Sequence, residues 1–199
     1  MTAQAAAGRI GPNAITRVAE VLPPRVGSRL TRELFEHAGL RHYLERPPER
    51  MVDEAEVRRL HHALRDELGE AKAREVAAAA GRATADYLLA HRIPRPLQAL
   101  LKWLPAAWSA RVLVAAIARH AWTFVGSGAF SARFGRPLEL AVRGNPLCRG
   151  LAAAQPACEF YAATFERLFQ VLVHRASRVH EVACEACGDD ACRFEIRWL

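Results

Sequence analysis

Residues 180–199 read HEVACEACGDDACRFEIRWL, and the rest of the chain is read outward from this stretch. Val179 to Ala183 has strand character, and from Arg193 to Trp198 the apolar Phe194 and Ile196 alternate with Arg193, Glu195 and Arg197. Between them Gly188, Asp189 and Asp190 form turns, and Cys184, Cys187 and Cys192 crowd into nine residues. The predicted unit is strand, knuckle, strand. Thiols concentrated at a loop tip suit a soft, tetrahedral metal such as zinc, held structurally. Such a group needs a partner from elsewhere in the chain. Cys158 opens a helical segment and Glu181 stands three residues before Cys184, so Cys158, Glu181, Cys184 and Cys192 could supply four ligands from three elements. Cys148 reads as a small core hydrophobe.

Composition bounds the partners and the setting. With 199 residues, 51% of them hydrophobic, the chain can bury one sizeable core. The Ala-rich start, Met1 to Gly8, has no basic region leading into an apolar stretch and reads as a frayed terminus. An odd count of five cysteines behind such a start predicts reduced thiols in a cytoplasmic setting rather than a disulfide framework. The most apolar run, LLKWLPAAWSARVLVAAIARHA, is broken by Lys102, Pro105, Arg111 and Arg119, well short of the roughly 20 residues a membrane span needs. A soluble protein, or one peripheral to a membrane, is the expectation. The formal charge of +7 is almost all arginine, since Lys72 and Lys102 are the only lysines. Arginine forks suit anionic ligands, acidic partners or an anionic membrane surface. Nucleic acid is not favoured, because no helix-turn-helix is attached.

In chain order, helices are predicted from Ala14 to Leu22, where Pro23 and Pro24 end the pattern, and from Ser28 to Ala38. Arg46-Pro47-Pro48-Glu49 is a linker, and Asp53 to His91 is strongly helical with Gly69 as a break or kink. The small residues of AAAAGRA (residues 77–83) would let another helix approach closely. Leu97 to Trp103 and Trp108 to His120 are two further helices, the second apolar on most of its surface and so expected to be buried. Ala121 to Val125 and Phe130 to Phe134 read as a hairpin around Gly126-Ser127-Gly128, Leu138 to Val142 as another strand, and Ala157 to His174 as an amphipathic helix. The expected class is α+β: a helical N-terminal part, then a mostly antiparallel sheet with one crossing helix.

The order Cys158, Glu181-x-x-Cys184, Cys192-x-Phe194 near the C-terminus resembles the 4-vinyl-reductase domain family. Over the whole chain the resemblance is to the stand-alone member of that family from bacteriochlorophyll synthesis. It implies a zinc site on Cys158, Glu181, Cys184 and Cys192, with Cys187 as a competitor for the fourth position. It also implies an apolar cavity in a fold similar to a vesicle-tethering subunit. The domain division it suggests is a helical extension over residues 1–50 and a ligand-binding domain over 51–199 that ends in the zinc knuckle.

The ligand implied is a Mg-porphyrin or a divinyl chlorophyllide. Its expected contacts are Trp122, Phe124, Phe130, Tyr161 and Phe165 as flat apolar walls, His120 as an axial donor, and Arg119 and Arg143 on the propionates. Gly126-x-Gly128 lacks the third glycine of a dinucleotide fingerprint, and no other nucleotide loop or hydrolase motif stands in the sequence. A tetrapyrrole carrier delivering its cargo to bacteriochlorophyll biosynthesis enzymes is therefore the first expectation. The alternative is an 8-vinyl (4-vinyl) reductase or a subunit of one. A homodimer and a peripheral contact with the photosynthetic membrane complete the expectations.

Overall fold

In the computed structural model the described residues are 8–198; the Ala-rich start and Leu199 lie outside them. Strands β1 (Arg9–Ile10) and β2 (Val52–Asp53) pair with each other and frame helices α1 (Asn13–Val21), α2 (Pro23–His37) and α3 (His42–Glu45). Then follow α4 (Glu54–His91), α5 (Arg95–Trp103), α6 (Ala106–Arg119), β3 (Ala129–Arg133), β4 (Leu138–Arg143), α7 (Glu159–Leu172), β5 (Arg178–Ala183) and β6 (Cys192–Arg197). The last four strands form one antiparallel sheet in the order β3-β4-β6-β5, with α7 as the crossing element between β4 and β5.

Alternation explains how the sheet covers the core. Leu138, Leu140 and Val142 of β4 point inward, paired with Ile196, Phe194 and Cys192 of β6, while the residues between them stay partly open. Helix α7 rests on this inner face through Tyr161 and Phe165, both of which meet the Phe194 ring edge-on. Its other side packs on α4, as the small-residue run predicted. A methyl group added at Gly81 would collide with the Phe160 carbonyl, and Thr164 Oγ1 donates to the Gly81 carbonyl at 3.0 Å. Helix α1 covers α4 from the opposite side, and one continuous core runs from Ile10 to Ile196.

Glycines punctuate the long helices as expected. Gly69, at φ 72° and ψ 163°, divides α4, and Gly27, at φ 83°, separates the Pro23-Pro24 turn from the rest of α2. Two expectations fail. Ala121–Thr123 is a single 3-10 turn, because the Thr123 N–H and hydroxyl both donate back to the His120 carbonyl and Gly11 N–H takes the Thr123 carbonyl. The hairpin forms one step later, between β3 and β4. Helix α6 is not wrapped by protein: Ala110, Leu113, Val114 and Ile117 are buried, but Trp108, Arg111, Val112, Ala115 and Arg119 face outward.

His61 lies buried in α4 with its Nε2 3.4 Å from the Ala14 carbonyl and its ring edge-on to Phe160. Burial, helped by the Arg65 charge, pushes its pKa down to about 3. The unfolded chain therefore takes up a proton near pH 6.5 that the folded chain refuses. His61 removes stability as pH falls below that value, by about 1.4 kcal/mol per pH unit until the folded pKa is reached, and adds no pH dependence above it. Urea denaturation of His61→Met against the unsubstituted chain should show the variant losing less stability between about pH 7 and pH 5. Parallel losses would contradict this assignment.

Candidate functional site

The cysteines converge where β4, β6 and the start of α7 meet. Cys192 begins β6 on its inward side, opposite Val142. Cys184 follows β5 after a bulge between Glu181 and Ala183, which turns both Glu181 and Cys184 toward the interior. Cys158 caps α7 from a segment clamped by two arginines of α4. Arg65 donates to the Ala157 carbonyl at 2.7 Å and to Glu159 at 2.9 Å, and Arg74 donates to the Pro156 carbonyl at 2.9 Å.

A fourth thiol joins them, and the sequence reading did not place it there. Cys148 is carried by the loop after β4 and lies 3.5 Å, sulfur to sulfur, from Cys192. That loop is tied down twice. The Glu185 carboxylate accepts the N–H groups of Gly144 and Asn145 at 2.6 and 2.7 Å. Arg149 reaches Glu54 at 2.7 Å, and Glu54 also accepts the Ser127 N–H and hydroxyl, both at 2.7 Å. Reading Cys148 as a mere core hydrophobe is thereby corrected: it is buried because it belongs to the cluster.

The geometry fits a metal. The four buried sulfurs of Cys148, Cys158, Cys184 and Cys192 all lie within 4.8 Å of one another. The separations are 3.5 Å for Cys158–Cys192, 3.7 Å for Cys158–Cys184 and 3.8 Å for Cys184–Cys192. A disulfide would need about 2.05 Å. A tetrahedral zinc with sulfurs at about 2.3 Å spaces them about 3.8 Å apart. Sulfur anions also find donors here. Asn145, fully buried, aims its side-chain N–H groups at Cys158 (3.1 Å) and Cys192 (3.3 Å), and the Ala157 N–H points at Cys184 (3.4 Å). Hydrogen bonds from Cys148 and then Cys158 hold the Cys184 thiol well below its ordinary pKa, whereas burial raises that of Cys158. A set that shares protons in this way is ready to exchange them for a cation.

Glu181 stands beside the four sulfurs. One oxygen accepts the Cys158 N–H at 2.8 Å, and the other is buried without a partner. Burial, and next the Cys184 charge, push its pKa up to about 9. Cys187 is exposed on the knuckle and outside the group. Cys187→Ser should leave metal content unchanged and the melting temperature within about 1 °C, as for most surface substitutions. Loss of metal from that variant would show that the knuckle can rearrange its thiols.

The expected pigment contacts divide into two sets. Phe124, Phe130, Tyr161 and Phe165 pack against one another and Phe194 with ring centres 5.5 to 6.4 Å apart, and Tyr161 donates its hydroxyl to the Phe124 carbonyl at 2.6 Å. Arg119, His120 and Trp122 lie on the surface at the end of α6, with His120 Nδ1 2.8 Å from the Ala116 carbonyl. Arg143 sits apart, paired with Asp190 at 3.2 Å. A cavity of about 560 Å³ is found elsewhere, lined by Arg9, Tyr43, Met51, Asp53 and Glu56.

An antiparallel sheet crossed by one helix, with a thiol knot at its end, defines a class, and the family model for the 4-vinyl-reductase domain matches residues 138–198, the segment that holds all four clustered cysteines. Over almost the whole length the chain is 44% identical to the bacteriochlorophyll synthase 23 kDa chain of Cereibacter sphaeroides, across 96% of this chain and 92% of that one. The protein of the same name from Rhodobacter capsulatus is 42% identical across 94% and 86%. The chain belongs to this family of BchJ-like proteins with a 4-vinyl-reductase domain. Its architecture is similar to that of H-NOX proteins. The one from K. algicida superimposes with a TM-score of 0.61 at 9% identity, covering 94% of this chain and 96% of that one. Another, from work on heme distortion in that family, gives 0.56 at 13%, covering 95% of each chain.

Proposed function

We propose that the chain serves bacteriochlorophyll biosynthesis as a tetrapyrrole-binding accessory protein whose C-terminal thiol knot is a structural zinc site. The observation that carries the reading is the 44% identity, along nearly the full length of both chains, to a bacteriochlorophyll synthase 23 kDa chain. The zinc is held by Cys148, Cys158, Cys184 and Cys192. Four protein ligands close the coordination shell, so the ion staples α7 to the sheet and takes no part in chemistry. Glu181 orients the start of α7 through the Cys158 N–H.

The cargo is a Mg-porphyrin or divinyl chlorophyllide, handed to a biosynthetic enzyme. The residues Arg119, His120 and Trp122 receive it at the end of α6, where Phe124 joins the surface to the aromatic core. The Ala116 carbonyl beside His120 Nδ1 favours the tautomer that carries its proton there, which frees Nε2 to donate to a magnesium ion. Trp122, 61% exposed, offers an open face for a flat macrocycle.

Titration of Mg-protoporphyrin into the metal-replete chain, followed by pigment absorbance and tryptophan quenching, tests this reading. His120→Ala should weaken the magnesium form about tenfold, about 1.4 kcal/mol, and the metal-free porphyrin much less. Equal weakening would remove the axial role. Reduction of a vinyl group by the purified chain with nicotinamide would replace the carrier with a reductase.

A further inference from the structure

From Tyr87 to Leu138 the sequence contains no aspartate or glutamate, although the chain as a whole has 21 acidic residues. The same segment carries Arg92, Arg95, Lys102, Arg111, Arg119 and Arg136, all exposed, with Arg133 paired to Glu139 just beyond its end. It also carries the most exposed large apolar side chains among the described residues. Trp103 is 91% exposed, Trp108 60%, Leu100 54% and Phe134 50%. These belong to one face. Trp103 ends α5 three residues before α6 begins, and Trp108, Arg111, Val112, Ala115 and Arg119 form the outward stripe of α6. The Arg111 guanidinium lies 5.8 Å from the Trp108 ring centre and 5.9 Å from that of Phe134, which joins α6 to the end of β3.

We propose that this α5–α6 face is a docking surface for an anionic lipid bilayer. Tryptophan beside arginine and lysine is the chemistry of the membrane interface: the indole enters the headgroup layer with its N–H still hydrated, while the cations stay among the lipid phosphates. An acidic protein would also attract the positive charge. A segment wholly free of carboxylates, around apolar rings at a corner where α5 turns into α6, nonetheless fits an extended surface of uniform negative charge better than a patterned partner. The attachment is peripheral, since no helix of the described residues is long and apolar enough to cross a membrane. The inference does not rest on pigment binding.

Flotation of the full chain with phosphatidylcholine vesicles, with and without phosphatidylglycerol and without any pigment, tests it. Binding should require the anionic lipid, fall as salt is raised, and blue-shift the tryptophan emission. Arg111→Glu should weaken it about fivefold or more, and Trp103→Ser with Trp108→Ser should abolish the blue shift. These side chains are exposed, so melting curves of the variants should match that of the unsubstituted chain and separate docking from folding. Absence of binding to anionic vesicles, or binding indifferent to these substitutions, would overturn the proposal. So would sedimentation showing a dimer that Trp108→Ser dissociates, because the face would then be covered by a second copy.

Discussion

Cys192→Ser releases the metal and loosens the end of the sheet. This is the largest effect expected of any single substitution in the chain. Cys192 lies within 3.8 Å of all three other sulfurs in the group and accepts an Asn145 hydrogen bond. No other thiol touches so many of them, and its β6 position places the sulfur opposite Val142 in the core. Structural zinc contributes its binding energy directly to folding, so the loss should be about 4–5 kcal/mol or more. For a chain of this size that lowers the melting temperature by at least about 10 °C. Metal analysis and a thermal melt of the same sample measure both. A variant that keeps one equivalent of metal and melts with the unsubstituted chain would contradict the assignment.

Asn145→Asp should have nearly as large an effect, although residue 145 is not itself a ligand. The Asn145 side-chain nitrogen donates to two sulfurs, its oxygen accepts the Leu147 N–H at 3.0 Å, and its backbone N–H binds Glu185. The aspartate keeps the shape but replaces donors with an acceptor facing thiolates. Metal affinity should fall about 10- to 100-fold, and stability by about 3–5 kcal/mol for an uncompensated buried charge. Asn145→Ala, which removes the donors without adding charge, should cost less. Competition with a chromophoric chelator gives the affinities. Equal effects of the two substitutions would show that space, not charge, governs the position.

The contrast between Asn145 and Cys192 shows which parts of this molecule the sequence displays. Alternation made β4 and β6 legible, and helical spacing located α1, α4 and α7 to within a few residues. Gly69 marked its own kink, and the small-residue run announced the close approach of α7. Three thiols in the knuckle announced a cluster. Cys148 carried a weaker signal, an isolated cysteine just past the Asn145-Pro146 turn, and only the pairing of β4 with β6 brings it beside Cys192. Long-range contacts of that kind have no local periodicity. The turn at Ala121–Thr123 was misread because its β-forming residues answer to His120 and Gly11 instead of to a neighbouring strand. Likewise the apolar character of α6 predicted burial, whereas the fold leaves one of its faces open.

X-ray absorption at the zinc edge, on protein purified without added metal, tests the four-thiolate site most directly. The geometry predicts one zinc per chain with four sulfur neighbours at about 2.3 Å and no oxygen or nitrogen in the shell. Three sulfurs and one oxygen at about 2.0–2.2 Å would put Glu181 in place of Cys148, and a chain without zinc would contradict the account altogether.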